Sequence, residues 1–197
     1  SKIIKNIRLG KSLNRSDNKI KRIKLTLLIA FGQKKMFQRI LPAVFHLFIY
    51  VAFLFTSTEL IEIIADGITG NHRFFWSKMG GVYVFLISLI ELLSVLAFIS
   101  TLVFLIRRNL LKVPSFQMSE MNGWPKLDGN IILYLEILLL ICVFIMNGAD
   151  EALFLQGKSA VTGAGSFGFL ISSFTAPYFF NNFDVQTLII LERLGWW

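Results

Sequence analysis

Three titratable side chains, His46, Glu91 and Glu136, lie inside long apolar runs of this 197-residue chain. A charged or titratable group in hydrocarbon costs free energy, so each is a candidate for function. An imidazole within a helical bundle ligates haem iron, relays protons or hydrogen-bonds a neighbouring helix. His46 enters its run by about six residues, roughly 9 Å at 1.5 Å per residue, and Glu136 enters its own to a comparable depth. Glu91 lies about ten residues in, near the middle of a bilayer by the same arithmetic. A carboxyl there takes up and releases protons, as at a quinone site, or holds two helices together in its neutral form.

Further acids gather near the ends of these runs. Glu59, Glu62 and Asp66 recur at spacings of three and four, which sets them on one helix face. Their simplest reading is a solvated, interfacial helix end. Asp150 and Glu151 follow the third apolar run on the same side. His72 stands in a polar turn, Gly70-Asn71-His72-Arg73, and reads as a loop residue. Cys142 is the chain's one cysteine, so neither a disulfide framework nor a cysteine-held metal cluster is available.

The elements that must hold these groups follow from composition. Hydrophobic residues make up 55% of the chain, including 20 phenylalanines, and charged residues 16%. Soluble domains carry about 25% charged residues. The pattern specifies an all-α fold, a polytopic transmembrane helix bundle, with spans at about 40–64, 81–106 and 130–147. A bilayer core of roughly 30 Å takes about 20 apolar helical residues, so the third span needs its flanks. A fourth helix begins near Asp184 and is expected to be cut off at Trp197, as in part of a longer polypeptide. Between them, 163–182 is apolar but rich in Ser and Gly and contains Pro177. Irregular backbone at membrane depth requires cover from protein or a wet cavity, so this stretch reads as interfacial or re-entrant.

Charge divides the chain into a basic arm, 1–39, and the bundle, 40–197. The arm holds twelve of the twenty Lys and Arg and one acid, Asp17. Within it, Ile20, Ile23, Leu27 and Phe31 recur at helical spacing among lysines. That pattern fits an amphipathic helix on anionic lipid, and equally a cytoplasmic extension of the first span. The loop between the second and third spans carries Arg107, Arg108, Lys112 and Lys126. The positive-inside rule therefore puts the arm and this loop in the cytoplasm. Asymmetric charge also suits a nucleic-acid arm, but the apolar runs favour a lipid partner and no nucleic acid.

Several stretches resemble a known family. They are Asn6-Ile7-Arg8-Leu9-Gly10-Lys11, Phe31-Gly32-Gln33-Lys34-Lys35-Met36-Phe37 and Pro42-Ala43-Val44-Phe45-His46-Leu47-Phe48-Ile49-Tyr50. Residues 59–67 with His72-Arg73, Phe104-Leu105-Ile106-Arg107-Arg108-Asn109, and Leu191-Glu192-Arg193 with Trp196-Trp197 complete the set. Together they resemble the membrane domain of bacterial membrane-anchored iron–sulfur oxidoreductases. That family joins a region like the gamma subunit of respiratory nitrate reductase to a heterodisulfide-reductase-like cluster domain. The resemblance implies a b-type haem bundle in the bacterial inner membrane, passing electrons between quinone and iron–sulfur clusters. His46 matches the family's first-span histidine and would ligate the haem iron. The iron–sulfur motifs, further membrane histidines and an extra N-terminal span of the family are absent here.

The resulting expectation is a membrane subunit or fragment of an electron-transfer protein, with other membrane or redox subunits as partners and catalysis residing in the cluster domain. The rival is a non-catalytic membrane anchor, in which His46 and Glu91 only bridge helices. A small transporter fits less well, because His46, Glu91 and Glu136 are sparse and separated rather than lining one path.

Overall fold

A computed structural model describes residues 2–10, 18–32, 36–71, 73–111, 113, 118–119, 123–158 and 168–194. The described residues contain helices and no strand. Two compact units divide the chain, 1–43 and 44–197. The first contains α1 (Lys2–Arg8), α2 (Lys19–Ala30) and a 3-10 turn (Met36–Gln38). Every residue of α2 is exposed, Ile20, Ile23 and Leu27 among them.

Three helices are long and apolar enough to cross a membrane: α3 (Ile40–Thr69), α5 (Gly81–Asn109) and α6 (Trp124–Leu155). This is a membrane protein built as a transmembrane helix bundle. Each helix outruns the span read from sequence, and the reason is visible at each end. Helix α6 starts six residues before position 130 because Pro125 occupies its first turn, where a missing N–H costs nothing. It continues past Asn147 because Gly148 is a packing position rather than a break. A Cβ there would lie 2.6 Å from Cε2 of Phe180. At 32 residues α6 is about 48 Å long, more than a bilayer core requires.

A short turn carrying α4 (Trp76–Met79) joins α3 to α5. The three spans meet where Ala52 of α3 packs with Leu93 and Ala97 of α5 and Leu140 of α6. Small residues at this crossing let the backbones approach, the usual means of helix association in lipid. Away from it the spans present Phe53, Leu60, Ile61, Phe85, Leu138 and Leu139 outward. In water these side chains would be a liability; in a bilayer they are the solvent-facing surface.

Opposite the α3–α5 turn, α5 and α6 are tied by polar groups. Asn109 and Asn130 exchange amide hydrogen bonds of 3.4 and 3.0 Å, and the Arg108 guanidinium donates to the Pro125 and Lys126 carbonyls.

Part of the stretch read as interfacial or re-entrant forms α7 (Ser172–Phe179), entered through irregular backbone at Gly168 and Phe169. Residues 163–167 of that stretch lie outside the described residues. Gly168 has φ +77°, and a Cβ there would lie 2.1 Å from Val84 Cγ1, so glycine is required twice over. Its carbonyl accepts a hydrogen bond from the Ser88 hydroxyl of α5.

Helix α8 (Val185–Leu194) packs on α6 through Leu188, Ala149, Ala152 and Leu153. Asp184 begins it: its carbonyl accepts from Leu188 N–H and its carboxylate from the Thr187 hydroxyl. That hydroxyl, and behind it backbone amides, hold the Asp184 carboxyl below the usual carboxylate range. A depressed pKa contributes stability above the ordinary carboxylate value and loses it as pH falls through the lowered one. Amide exchange at Thr187 and Leu188 should therefore stay slow through mildly acidic pH and quicken below it. Asp184→Asn should flatten that dependence, and an unchanged acid profile in the variant would refute the cap.

A buried arginine–carboxylate cluster

At the end where α3 finishes, α5 begins and α6 finishes, the bundle buries a set of charged groups. Its centre is Arg73, which is 3% exposed. The residue adopts φ +56°, a left-handed conformation unusual for a side chain of this size. Two acids template it. The Asp66 carboxylate accepts the Arg73 and Phe74 amides, both at 2.8 Å, and Glu62 accepts the Phe75 amide at 2.9 Å. Three successive backbone donors are thus satisfied by acids one turn apart on α3.

The turn aims the guanidinium back into the bundle. Its Nε and Nη2 donate to Asp150 Oδ2 at 3.0 and 2.6 Å, and Nη2 also donates to Asn147 Oδ1 at 2.8 Å. On the other edge Nη1 donates to Tyr83 Oη at 3.3 Å and to Glu59 Oε1 at 3.4 Å, with Glu62 Oε2 at 3.9 Å. The Tyr83 hydroxyl in turn donates to Glu62 Oε2 at 2.7 Å. The Phe169 ring lies over the guanidinium, with Cζ 5.3 Å from its centroid. All three long helices and the segment before α7 therefore converge on one cation.

Burial alone would lower the Arg73 pKa. The oxygen of Tyr83 and the carboxylates of Asp150, Glu59 and Glu62 outweigh it and hold the value above that of an ordinary arginine. A raised pKa keeps the guanidinium charged at any pH the protein meets, so it is a permanent counter-ion.

The structure thereby corrects the reading of Glu59, Glu62 and Asp66 as a solvated helix end. Each is only 2% exposed. Their common face turns inward because a cation on the adjoining turn offers compensation that water would otherwise supply. Asp150 and Glu151 belong to α6 itself and are buried, rather than following it. Arg73 is the residue the sequence reading missed. Its signal was available: an arginine placed on the side where the positive-inside rule disfavours one, followed by three aromatics and preceded by a one-faced acidic row.

Glu91 sits in α5 with no exposed surface. Its Oε2 accepts the backbone N–H groups of Ile171 and Ser172 at 2.7 and 3.3 Å, and Oε1 accepts the Ser172 hydroxyl. The carboxylate thus caps the start of α7 from a neighbouring helix. Helix starts leave unpaired N–H groups, and at membrane depth no water is present to take them. This capping gives a fully buried acid a structural role in the bundle.

The remaining candidates stand apart. His46 lies on an exposed part of α3, and Glu136 is half-buried in α6. His72 lies outside the described residues. Cys142 is exposed on α6. Among the described residues no group of three or more His, Cys, Asp or Glu is arranged to hold a metal ion. An exposed imidazole with no second histidine among the described residues does not by itself make a haem site; a second face would have to come from elsewhere.

No protein-family model matches the chain, and neither the curated proteins nor the solved structures include a match.

Proposed function

We propose that this chain is the membrane part of an electron-transfer protein, exchanging electrons and protons with quinone in the bacterial inner membrane. The observation that carries the proposal is the buried cluster around Arg73. Oxidising a hydroquinone to a quinone releases electrons and protons in equal number. A lipid-embedded site therefore needs buried groups able to accept protons, and a cluster with more buried carboxylates than the Arg73 cation can compensate offers them. The resemblance in the sequence supports the redox half of the reading. The loop charges support an orientation with 1–39 and Lys126 in the cytoplasm and the Arg73 end outside. Single cysteines at Gly70 and at Lys126 should label from opposite sides of the membrane; labelling from one side would reverse or refute that orientation.

A b-type haem, when bound, would supply one-electron redox chemistry, and His46 is the position offered to it. Its exposure fits a haem shared with a covering helix or partner subunit and does not fit a haem enclosed by these residues alone. Protein purified in mild detergent from its native membrane should show a reduced-minus-oxidised haem spectrum that His46→Ala abolishes or alters. A wild-type spectrum without haem, or one that His46→Ala leaves unchanged, removes His46 from the redox chain.

The second reading is a non-catalytic membrane anchor for a larger assembly. The capping role of Glu91 and the four-element convergence on Arg73 favour it, because both hold the bundle together without chemistry. Quinol-linked electron transfer by the intact assembly that survives loss of the acidic cluster would select it.

A further inference from the structure

The hydrogen bonds of the acidic cluster are unevenly distributed. Asp66 accepts two backbone amides, Asp150 takes two guanidinium bonds, Glu62 takes an amide and a phenol, and Glu91 caps α7. Two acids are left poorly supplied. Glu59 touches Arg73 through Oε1 at 3.4 Å, while its Oε2 has no partner. Glu151 Oε2 has none either, and both residues are at least nine-tenths buried. Asn147, whose Oδ1 accepts from Arg73, likewise has an unpartnered Nδ2. Both acids lie within electrostatic reach of Glu91, and Glu151 also of Asp150.

We infer that Glu59 and Glu151 are proton-binding groups within the bundle, each carboxyl able to hold an exchangeable proton. The inference does not depend on the electron-transfer reading. It rests on charge compensation. Glu59, Glu62 and Asp150 share the guanidinium of Arg73 and Asp66 holds its backbone amide, while Glu91 and Glu151 are buried on α5 and α6. An ionised carboxylate kept from water and lacking donors costs several kcal/mol, and binding a proton removes that cost. Glu59 Oε2 and Glu151 Oε2 are buried carboxylate oxygens without a donor, so these two acids are where a bound proton removes the cost.

The groups facing the pair are Glu62 and Asp66 of α3, Arg73 of the turn, Tyr83 and Glu91 of α5, and Asn147 and Asp150 of α6. Glu192 of α8, on the element packed against α6, is buried and has partners of its own. The ligand is a proton rather than a metal ion. Among the described residues no group of three or more His, Cys, Asp or Glu is arranged to hold a metal ion, whereas a single carboxylate oxygen without a donor can bind a proton. The exposed residues 67–71 at the end of α3 give the pair a nearby aqueous boundary.

Infrared difference spectroscopy of the protein in lipid nanodiscs, recorded across a pH titration, tests this. Wild type should show a carbonyl-stretch band of protonated carboxylic acid that disappears as pH rises and shifts in heavy water. Glu59→Gln and Glu151→Gln should each remove part of that band, and the double variant more than either, while Asp184→Asn, at an exposed acid, leaves it in place. Should Glu59→Gln fail to fold, Glu151→Gln alone decides, since its band must shrink. A wild type without the band, or variants that retain it whole, would mean an ionised, purely structural pair. A band titrated by sodium at fixed pH would make this a cation site and overturn the proton assignment.

Discussion

Arg73→Met should destabilise the bundle more than any other single substitution at the α3–α5 turn. Methionine keeps much of the length of the side chain and removes the charge. Asp150, Asn147, Tyr83 and Glu59 would then lose their shared donor inside the protein. Removing one partner of a buried ion pair costs about 3–5 kcal/mol, because the other charge is stranded. The backbone amides of residues 73–75 keep their bonds to Glu62 and Asp66, so the turn itself should survive. Unfolding in mixed detergent would read the loss. Adding Asp150→Asn should recover part of it, since the stranded charge goes with the carboxylate. A single variant as stable as wild type would mean that the cluster is solvated, contrary to its burial.

Glu91→Ala should act locally and almost as strongly. It strips the acceptor from the Ile171 and Ser172 amides and from the Ser172 hydroxyl. Each buried donor left unsatisfied costs about 1–3 kcal/mol. The expected result is detachment of α7 from α5, seen as faster amide exchange over 171–176 and as labelling of a cysteine placed at Ser173. Glu91→Gln keeps one acceptor oxygen and should lose about half as much by the range just given. Unchanged exchange in Glu91→Ala would show that the segment is held by Phe169 and its apolar neighbours alone.

The bundle was legible in the sequence because lipid imposes a single requirement, a long apolar helix, on every span. Span ends were less legible. The third span, read as 130–147, runs as Trp124–Leu155, because whether Pro125 or Gly148 ends a helix depends on what packs against it. The candidate site divided along the same line. Glu91 stood out because an acid amid apolar residues needs an explanation, and it is fully buried. Its partners, Ile171 and Ser172, are eighty residues away and backbone donors, which no spacing rule reveals. The acidic row on α3 was seen as one face. Which way that face pointed depended on Arg73, a residue whose conformation at φ +56° no local propensity predicts.

The placement of Arg73 also orders the assembly of the protein at the ribosome. Its acidic partners on α3 precede it by fourteen residues or fewer, and Tyr83 follows by ten. Asp150 comes 77 residues later, roughly 4–15 s of synthesis at about 5–20 residues per second. The α3–α5 hairpin can therefore cross the membrane with its arginine already neutralised by its own acids. Helix α6 then arrives carrying Asn147 and Asp150 to a cation that is already in place. A nascent chain stopped before α6 should accordingly insert as a stable hairpin, and one stopped between α3 and Arg73 should not retain its first span.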